Sequence, residues 1–360
     1  GISSGGNNSS PTDADLRANV ADPENAFNRI ALEPNGFRLE YNDGTQVNGL
    51  NERYIYIAIR RGPMAVPTDA TEVFAPYVTS STSSSSSQAN TTYNVGFPVD
   101  LTIQRRKDTA DDWYIGSRLT GNRYMNTNGS AAEATSAGIF WDSPVGAWSW
   151  TSGYGTYNWQ RRPNYFDVVA YTGTGANRTV SHNLGVAPEM MWVKRRNSTG
   201  GSWGVYHKDV GNNKALVLDQ TGASFNANWW NSTTPTGSLF YIGGDEATVN
   251  ASGDSYIAYL FASLDGVSKV GSFTYSGSTL NVDCGFSSGA RFVLLKRTDG
   301  AQNWTMFDTE RGIVAGADPV LTLNNTNAES SFDWIDPYSS GFTLVAGAWN
   351  NGPYIFYAIA

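Results

Sequence analysis

The chain has 360 residues, of which 40% are apolar and only 16% charged, and its formal net charge is −8. That length supports two or three domains with packed cores, while the acidic balance disfavours nucleic acid as a partner, because phosphate binding needs a positive face. A single cysteine, Cys284, excludes an intrachain disulfide framework, and no apolar run approaches the roughly 20 residues of a membrane-spanning helix, so no membrane insertion is expected.

The aromatic load, with 12 Trp, 19 Tyr and 16 Phe, favours strands, and no long apolar pattern at i, i+3, i+4, i+7 marks a helix. Taken in chain order, the first clear strand is RYIYIAIRRG, from Arg53 to Gly62, and the chain closes on a strand of the same kind, PYIFYAIA, from Pro353 to Ala360. Laying the end of the chain beneath its beginning brings Asp13 onto Asp318, Leu16 onto Leu321, Asn19 onto Asn324, Glu24 onto Glu329 and Phe27 onto Phe332, all without a gap. Gly36-Phe37 then falls on Gly341-Phe342 and Leu39 on Leu344, and a short length difference brings Tyr54-Ile55 opposite Tyr354-Ile355. Residues 1–62 therefore read as the second half of a repeat unit. The repeated Gly-Phe predicts a turn needing glycine's backbone freedom, followed by an inward aromatic.

Residues 63–94 contain Pro63, Pro67 and the serine run Ser83 to Ser87, which marks a linker or arm. The apolar piece VFAPYV inside it is expected to dock on a neighbouring surface. Three full units follow. Residues 95–168 carry DLTIQRR, Trp113, NTNGSAAE and a closing strand YNWQRR; residues 169–271 carry MMWVKRR, Trp203 and SYIAYLFAS; residues 272–360 carry FVLLKR, Trp304, LNNTNAE and PYIFYAIA. A unit of about 100 residues is the size of a small domain rather than of a solenoid repeat. Short strands separated by turn residues predict an all-β fold of tandem β-sandwich, jelly-roll-like modules, the first truncated at its N-terminal half. Half a sandwich leaves open edges, so residues 1–62 are expected to be completed by an upstream segment or another subunit, and the chain to form a homo-oligomer.

The segments YTGTGANRTVSHNLGVAPEMMWVKRR and YIAYLFASLDGVSKVGSF resemble the repeat modules of tail-fibre and related virion proteins of marine tailed phages, cyanophages in particular. CGFSSGARFVLLKRTDGAQNWTMFDTERGIVAGADP resembles the next module of the same kind, and GFPVDLTIQRR, NTNGSAAEA and PNYFDVVAYTG the preceding one. The resemblance covers residues 10–62 and 92–360. It implies a non-enzymatic structural protein of the virion, in a tail fibre or surface appendage and so extracellular, with other appendage subunits as partners and host-surface glycans as a contact. It carries no catalytic or binding positions with it. Two other readings stay open: a bacterial extracellular adhesin or filament subunit with carbohydrate-binding β-sandwich modules, and a polysaccharide-degrading tailspike.

Candidate chemistry is sparse. The two histidines, His182 and His207, have no cysteine or convincing carboxylate partner nearby in sequence, so neither a metal site nor a triad is expected. Asp308 with Glu310, and Asp108 with Asp111 and Asp112, are the carboxylates a glycosidase reading would use; solvated loop positions account for them more simply. Calcium ligation at Asp13/Asp15 or Asp245/Glu246 lacks an EF-hand pattern. No cofactor, metal or catalytic residue is therefore assigned. Arg105-Arg106, Lys194-Arg195-Arg196 and Lys296-Arg297 recur once per unit; they suit an anionic-glycan or subunit contact, and edge protection of a strand is the preferred alternative. Trp141, Trp148, Trp150, Trp229 and Trp230 lie in turn-rich stretches that differ between units. They are the candidates for glycan or partner contact, because an indole face offers a sugar an apolar platform, with core packing as the equal alternative.

Overall fold

The computed structural model describes the backbone of residues 13–15, 25–27, 30–33 and 36–39, and then residues 53, 54, 56, 64–78, 95–136, 138, 139, 141, 147, 153–244 and 247–360. Its N-terminal strands are β1 (Asp13–Asp15), β2 (Asn25–Phe27), β3 (Ile30–Glu33) and β4 (Gly36–Leu39). β1 pairs with β2, with Asp13 opposite Phe27, and β3 pairs with β4, with Ile30 opposite Leu39.

The all-β architecture continues through three modules, whose strands pair antiparallel. The first holds β5 (Phe74–Val78), β6 (Leu101–Arg106), β7 (Tyr114–Ser117), β8 (Arg123–Asn126), β9 (Ala134–Thr135) and β10 (Tyr154–Trp159). The second holds β11 (Phe166–Thr172), β12 (Arg178–Ser181), β13 (Met190–Arg195), β14 (Gly204–His207), β15 (Lys214–Val217), β16 (Phe225–Asn226), β17 (Leu239–Ile242), a short helix α1 (Ala247–Asn250) and β18 (Ser255–Phe261). The third holds β19 (Ser268–Tyr275), β20 (Leu280–Asp283), β21 (Phe292–Arg297), β22 (Thr305–Asp308), β23 (Asp318–Thr322), β24 (Ser330–Phe332), β25 (Ile335–Tyr338), β26 (Gly341–Leu344) and β27 (Gly352–Ile359).

The described strands of each module build a six-stranded sheet in the same order: first strand, closing strand, then a four-strand meander. The orders are β5-β10-β6-β7-β8-β9, β11-β18-β13-β14-β15-β16 and β19-β27-β21-β22-β23-β24. A small second sheet, β12-β17 in the second module and β20-β26-β25 in the third, covers one face. The N-terminal strands repeat part of this plan residue for residue. Asp13 faces Phe27 as Asp318 faces Phe332, and Ile30 faces Leu39 as Ile335 faces Leu344.

Two kinds of boundary differ from the sequence expectation. The segment 63–94 is not only an arm, because β5 within it is the edge strand of the first module, paired along its length with β10. The second and third modules likewise begin earlier than residues 169 and 272, at β11 and β19. A module's first strand carries no recurring Trp or basic landmark, so periodicity alone cannot place it. The repeated Gly-Phe also has a different cause. Gly341 is the first residue of β26, and a Cβ there would lie 2.1 Å from the Val282 carbonyl oxygen. Close approach of β20, not a turn, requires glycine at this position; Phe342 is fully buried as expected.

The central strands read as continuous apolar runs because both their faces are buried. Along β21, Phe292 and Leu294 enter one core while Val293 and Leu295 enter another. β13 divides Met190 and Trp192 from Met191 and Val193 in the same way. The first set of residues from all three modules forms a single shared core that includes Leu101, Ile103, Trp159, Phe261, Tyr357 and Ile359. In the second and third modules the other set packs beneath the module's own small sheet.

Candidate functional site

The residues that recur once per module converge on the joints between modules. Trp113, Trp203 and Trp304 each precede the fourth strand of a module's sheet, and each is buried. The Trp113 indole donates to the Thr322 carbonyl at 2.8 Å, Trp203 to Asn126 at 2.8 Å and Trp304 to Val217 at 2.9 Å. The acceptors are the last residues of β23, β8 and β15. Module one thus bonds to three, two to one and three to two, and the ring closes. The orientation is held locally, since each Trp amide donates to a side-chain oxygen two residues beyond a neighbouring meander strand: Asn128, Asp219 and Asn324.

The basic residues follow the same circuit. Arg105 donates to the Asn325 and Thr326 carbonyls at 3.3 and 3.0 Å, Lys194 to Ser130 at 3.4 Å as well as to Gly201 in its own module, and Lys296 to Thr221 at 2.9 Å. All three are wholly buried. Burial pushes the ammonium of Lys194 down to about 8, and that of Lys296 to the same value, because a cation removed from water loses hydration that neutral carbonyls replace only in part. Neither edge protection nor an anionic-glycan contact describes these three positions. The next residue along each strand is the one that reaches water: Arg106, Arg195 and Arg297 pair with Asp108, Asp254 and Asp299. Backbone bonds complete each joint, from Glu133 to Arg196, Ser224 to Thr298 and Glu329 to Lys107.

The joint between the first and third modules carries an additional ionic group. The Tyr157 hydroxyl donates to Asp308 at 2.7 Å, and Arg311 pairs with Asp308 at 2.5 Å and Glu329 at 3.2 Å. Asp308 is wholly buried while Glu310 is exposed, so these two carboxylates do not meet at a cleft. Asp111 accepts from the hydroxyls of Tyr114 and Tyr154, and Asp112 from the Asn128 amide. His182 shares a hydrogen bond with the Thr236 carbonyl, and burial lowers its pKa. His207 is buried in β14. Among the described residues, no group of three or more His, Cys, Asp or Glu is arranged to hold a metal ion. The side chains of Asp13 and Asp15, and residues 245 and 246, lie outside the described residues, as do Trp148 and Trp150.

The remaining tryptophans expected at a glycan contact occupy cores. Trp230 is fully buried, donates to the Lys214 carbonyl at 3.0 Å and packs edge-on against Tyr206. Trp229 is 8% exposed and lies edge-on to Trp230. Trp141, also 8% exposed, donates to the Gly121 carbonyl at 2.7 Å and has Arg118 near its ring. Their loops vary because each module roofs its own core differently, and an indole buried this far presents no free face to a sugar. Two shallow grooves do open at equivalent places, between the first strand of the large sheet and the first strand of the small one. One is lined by Tyr171, Arg178, Val180 and Leu239, the other by Lys269, Phe273, Val282 and Asp283.

Residues 145–360, more than half of the chain, match the family model described as a domain of unknown function, DUF7483. The chain belongs to this family. The DUF7483 match opens just ahead of β10, so it takes in the closing strand of the first module and the whole of the other two, including the joint between them. No curated protein matches the chain. Among the described residues no helix is long and apolar enough to cross a membrane.

Proposed function

We propose that the chain is a non-enzymatic structural protein of a phage virion, part of a tail fibre or related appendage that works outside the cell against host-surface glycans. The observation that carries this reading is the use made of the recurring polar residues. The repeated Trp, Arg and Lys serve joints that lock three modules into one ring. Such a closed ring suits an appendage assembled with other virion subunits. The resemblance of its segments to cyanophage appendage modules points the same way.

The test is proteomics of purified particles combined with cryo-electron microscopy. The chain is expected in intact virions at a stoichiometry matching an appendage, with density of the three-module ring on the tail or surface. Its absence from particles, or release of oligosaccharides from host polysaccharide by the purified chain, would defeat the proposal.

A further inference from the structure

The sixth strand of the third module's large sheet ends on an aromatic residue turned to water. Phe332 is 43% exposed, at the outer edge of that sheet. It stacks on Trp334 with ring centroids 4.4 Å apart and an interplanar angle of 10°. One face of the phenyl ring is therefore taken by the indole, and its exposure comes from the other. Trp334 is half-buried and leans on Trp349, whose centroid is 5.3 Å away.

This pair is held firmly from below. The Trp349 indole and the Val345 amide both donate to the Trp334 carbonyl, and the Trp334 amide donates to the Phe332 carbonyl. Phe332 stands opposite Asp318 in register. The buried Asp318 carboxylate accepts from the Val314 amide at 2.9 Å and the Ile335 amide at 3.3 Å, tying the strands on both sides of the pair. A flat apolar ring fixed in this way has little conformational entropy left to lose on binding. The neighbouring surface is polar and acidic: Ser330, Ser331 and Asp333 are exposed and Asp336 is half-buried. The N-terminal strands repeat this pairing, since β1 and β2 set Asp13 opposite Phe27.

We propose that Phe332, stacked on Trp334, is a saccharide-binding platform for uncharged or amino-bearing sugar rings. A pyranose presents a C–H face of about the size of a phenyl ring, and hydroxyls at its rim that hydrogen-bond to carboxylates and serine hydroxyls. The carboxylates of Asp333 and Asp336 accept from those hydroxyls and repel uronates, sulfates and sialic acids, so charge selects among glycans. The site deepens the glycan-contact part of the proposed function and is independent of where the chain sits on a particle. It also moves that contact away from the buried tryptophans to a residue they do not include.

The test uses the purified full chain on an array of neutral, amino and anionic oligosaccharides, followed by titration of the best neutral binder against tryptophan fluorescence. Saturable binding of neutral or amino glycans is expected, with anionic ones excluded and with Trp334 as reporter. Phe332→Ser should weaken binding at least about tenfold with an unchanged melting temperature, and Phe332→Trp should retain it. Retention of no neutral or amino glycan, or equal binding by Phe332→Ser, overturns the site. If Phe332→Ser instead changes the oligomeric state, the patch is an interface between copies and the proposal falls. Absence of the chain from virions, by contrast, would leave a positive glycan result standing.

Discussion

At position 207 the fold holds an imidazole neutral. Its Nδ1 accepts from the Asp209 amide at 3.2 Å, and burial, with Lys208 adding to it, pushes its pKa down to about 3. In the unfolded chain the group returns to about 6.5. Below that pH the unfolded chain binds a proton that the folded chain refuses. This contribution to stability is therefore complete above about pH 6.5 and falls as pH drops toward 3. His207→Leu should flatten the fall in urea midpoint between about pH 7 and about pH 4.5, whatever it does to the midpoint at neutral pH. An identical pH dependence in both proteins would contradict the assignment. In the sequence His207 is visible as one of two histidines but carries no sign of this role, because the neighbours that dehydrate it come from other strands. Trp203 and Lys194 are similarly legible as landmarks without their partners. Across the joints their acceptors are backbone carbonyls of another module, which leave no side-chain signature. Trp229 and Trp230 mislead for the opposite reason: variable loops suggest a surface, yet a loop that roofs a core varies too. Phe332 is visible as the match of Phe27, but a repeated aromatic carries no mark of exposure.

Among the elements, β5 separates composition from structure most sharply. It lies between proline-containing and serine-rich stretches, yet Phe74 is fully buried. Its ring sits 4.9 Å from Trp159 and 5.4 Å from Phe292, bridging the first and third modules. The preceding Val73 is also buried, and its carbonyl accepts from the Gln160 amide. The sheet's edge thus depends on a segment that a linker reading would discard. Phe74→Ala is expected to cost roughly 3–5 kcal/mol in urea unfolding, the usual effect of emptying a large aromatic site in a tight core. A loss below about 1 kcal/mol would mean that β5 is dispensable and that a simple arm describes the segment well enough. The docking of VFAPYV on a neighbouring surface is legible from its apolar residues. Its pairing with β10 is not, since an edge strand needs only one partner and carries no repeated landmark.

At the scale of the whole molecule, the three modules stand where the three subunits of a trimer would stand. A cyclic arrangement of like units closes when the donor surface of each fits the acceptor surface of the next. The third module contains both surfaces in full. Trp304 and Lys296 are its donors, reaching Val217 and Thr221, and the carbonyls of Thr322 and Thr326 are its acceptors, used by Trp113 and Arg105. The acceptors also match in spacing. Thr326 follows Thr322 at the distance at which Thr221 follows Val217 and Ser130 follows Asn126, each pair starting from the last residue of the fifth strand in its sheet. Cut free, residues 265–360 expose the apolar face that the shared core now covers, including Phe292, Leu294, Met306, Tyr357 and Ile359. An open face of this kind drives association in water. The fragment is therefore expected to form a trimer that rebuilds the ring from three copies of one joint, with Trp304 of each copy bonded to Thr322 of the next. Light scattering coupled to size-exclusion chromatography reads the mass. Trp304→Ala together with Lys296→Ala should shift it toward monomer or aggregate, while Arg297→Ala, at a solvent-facing ion pair, should not. A folded fragment that stays monomeric at high concentration, with a melting temperature near that of the whole chain, would show that each sandwich is self-sufficient and that the joints join domains without completing them.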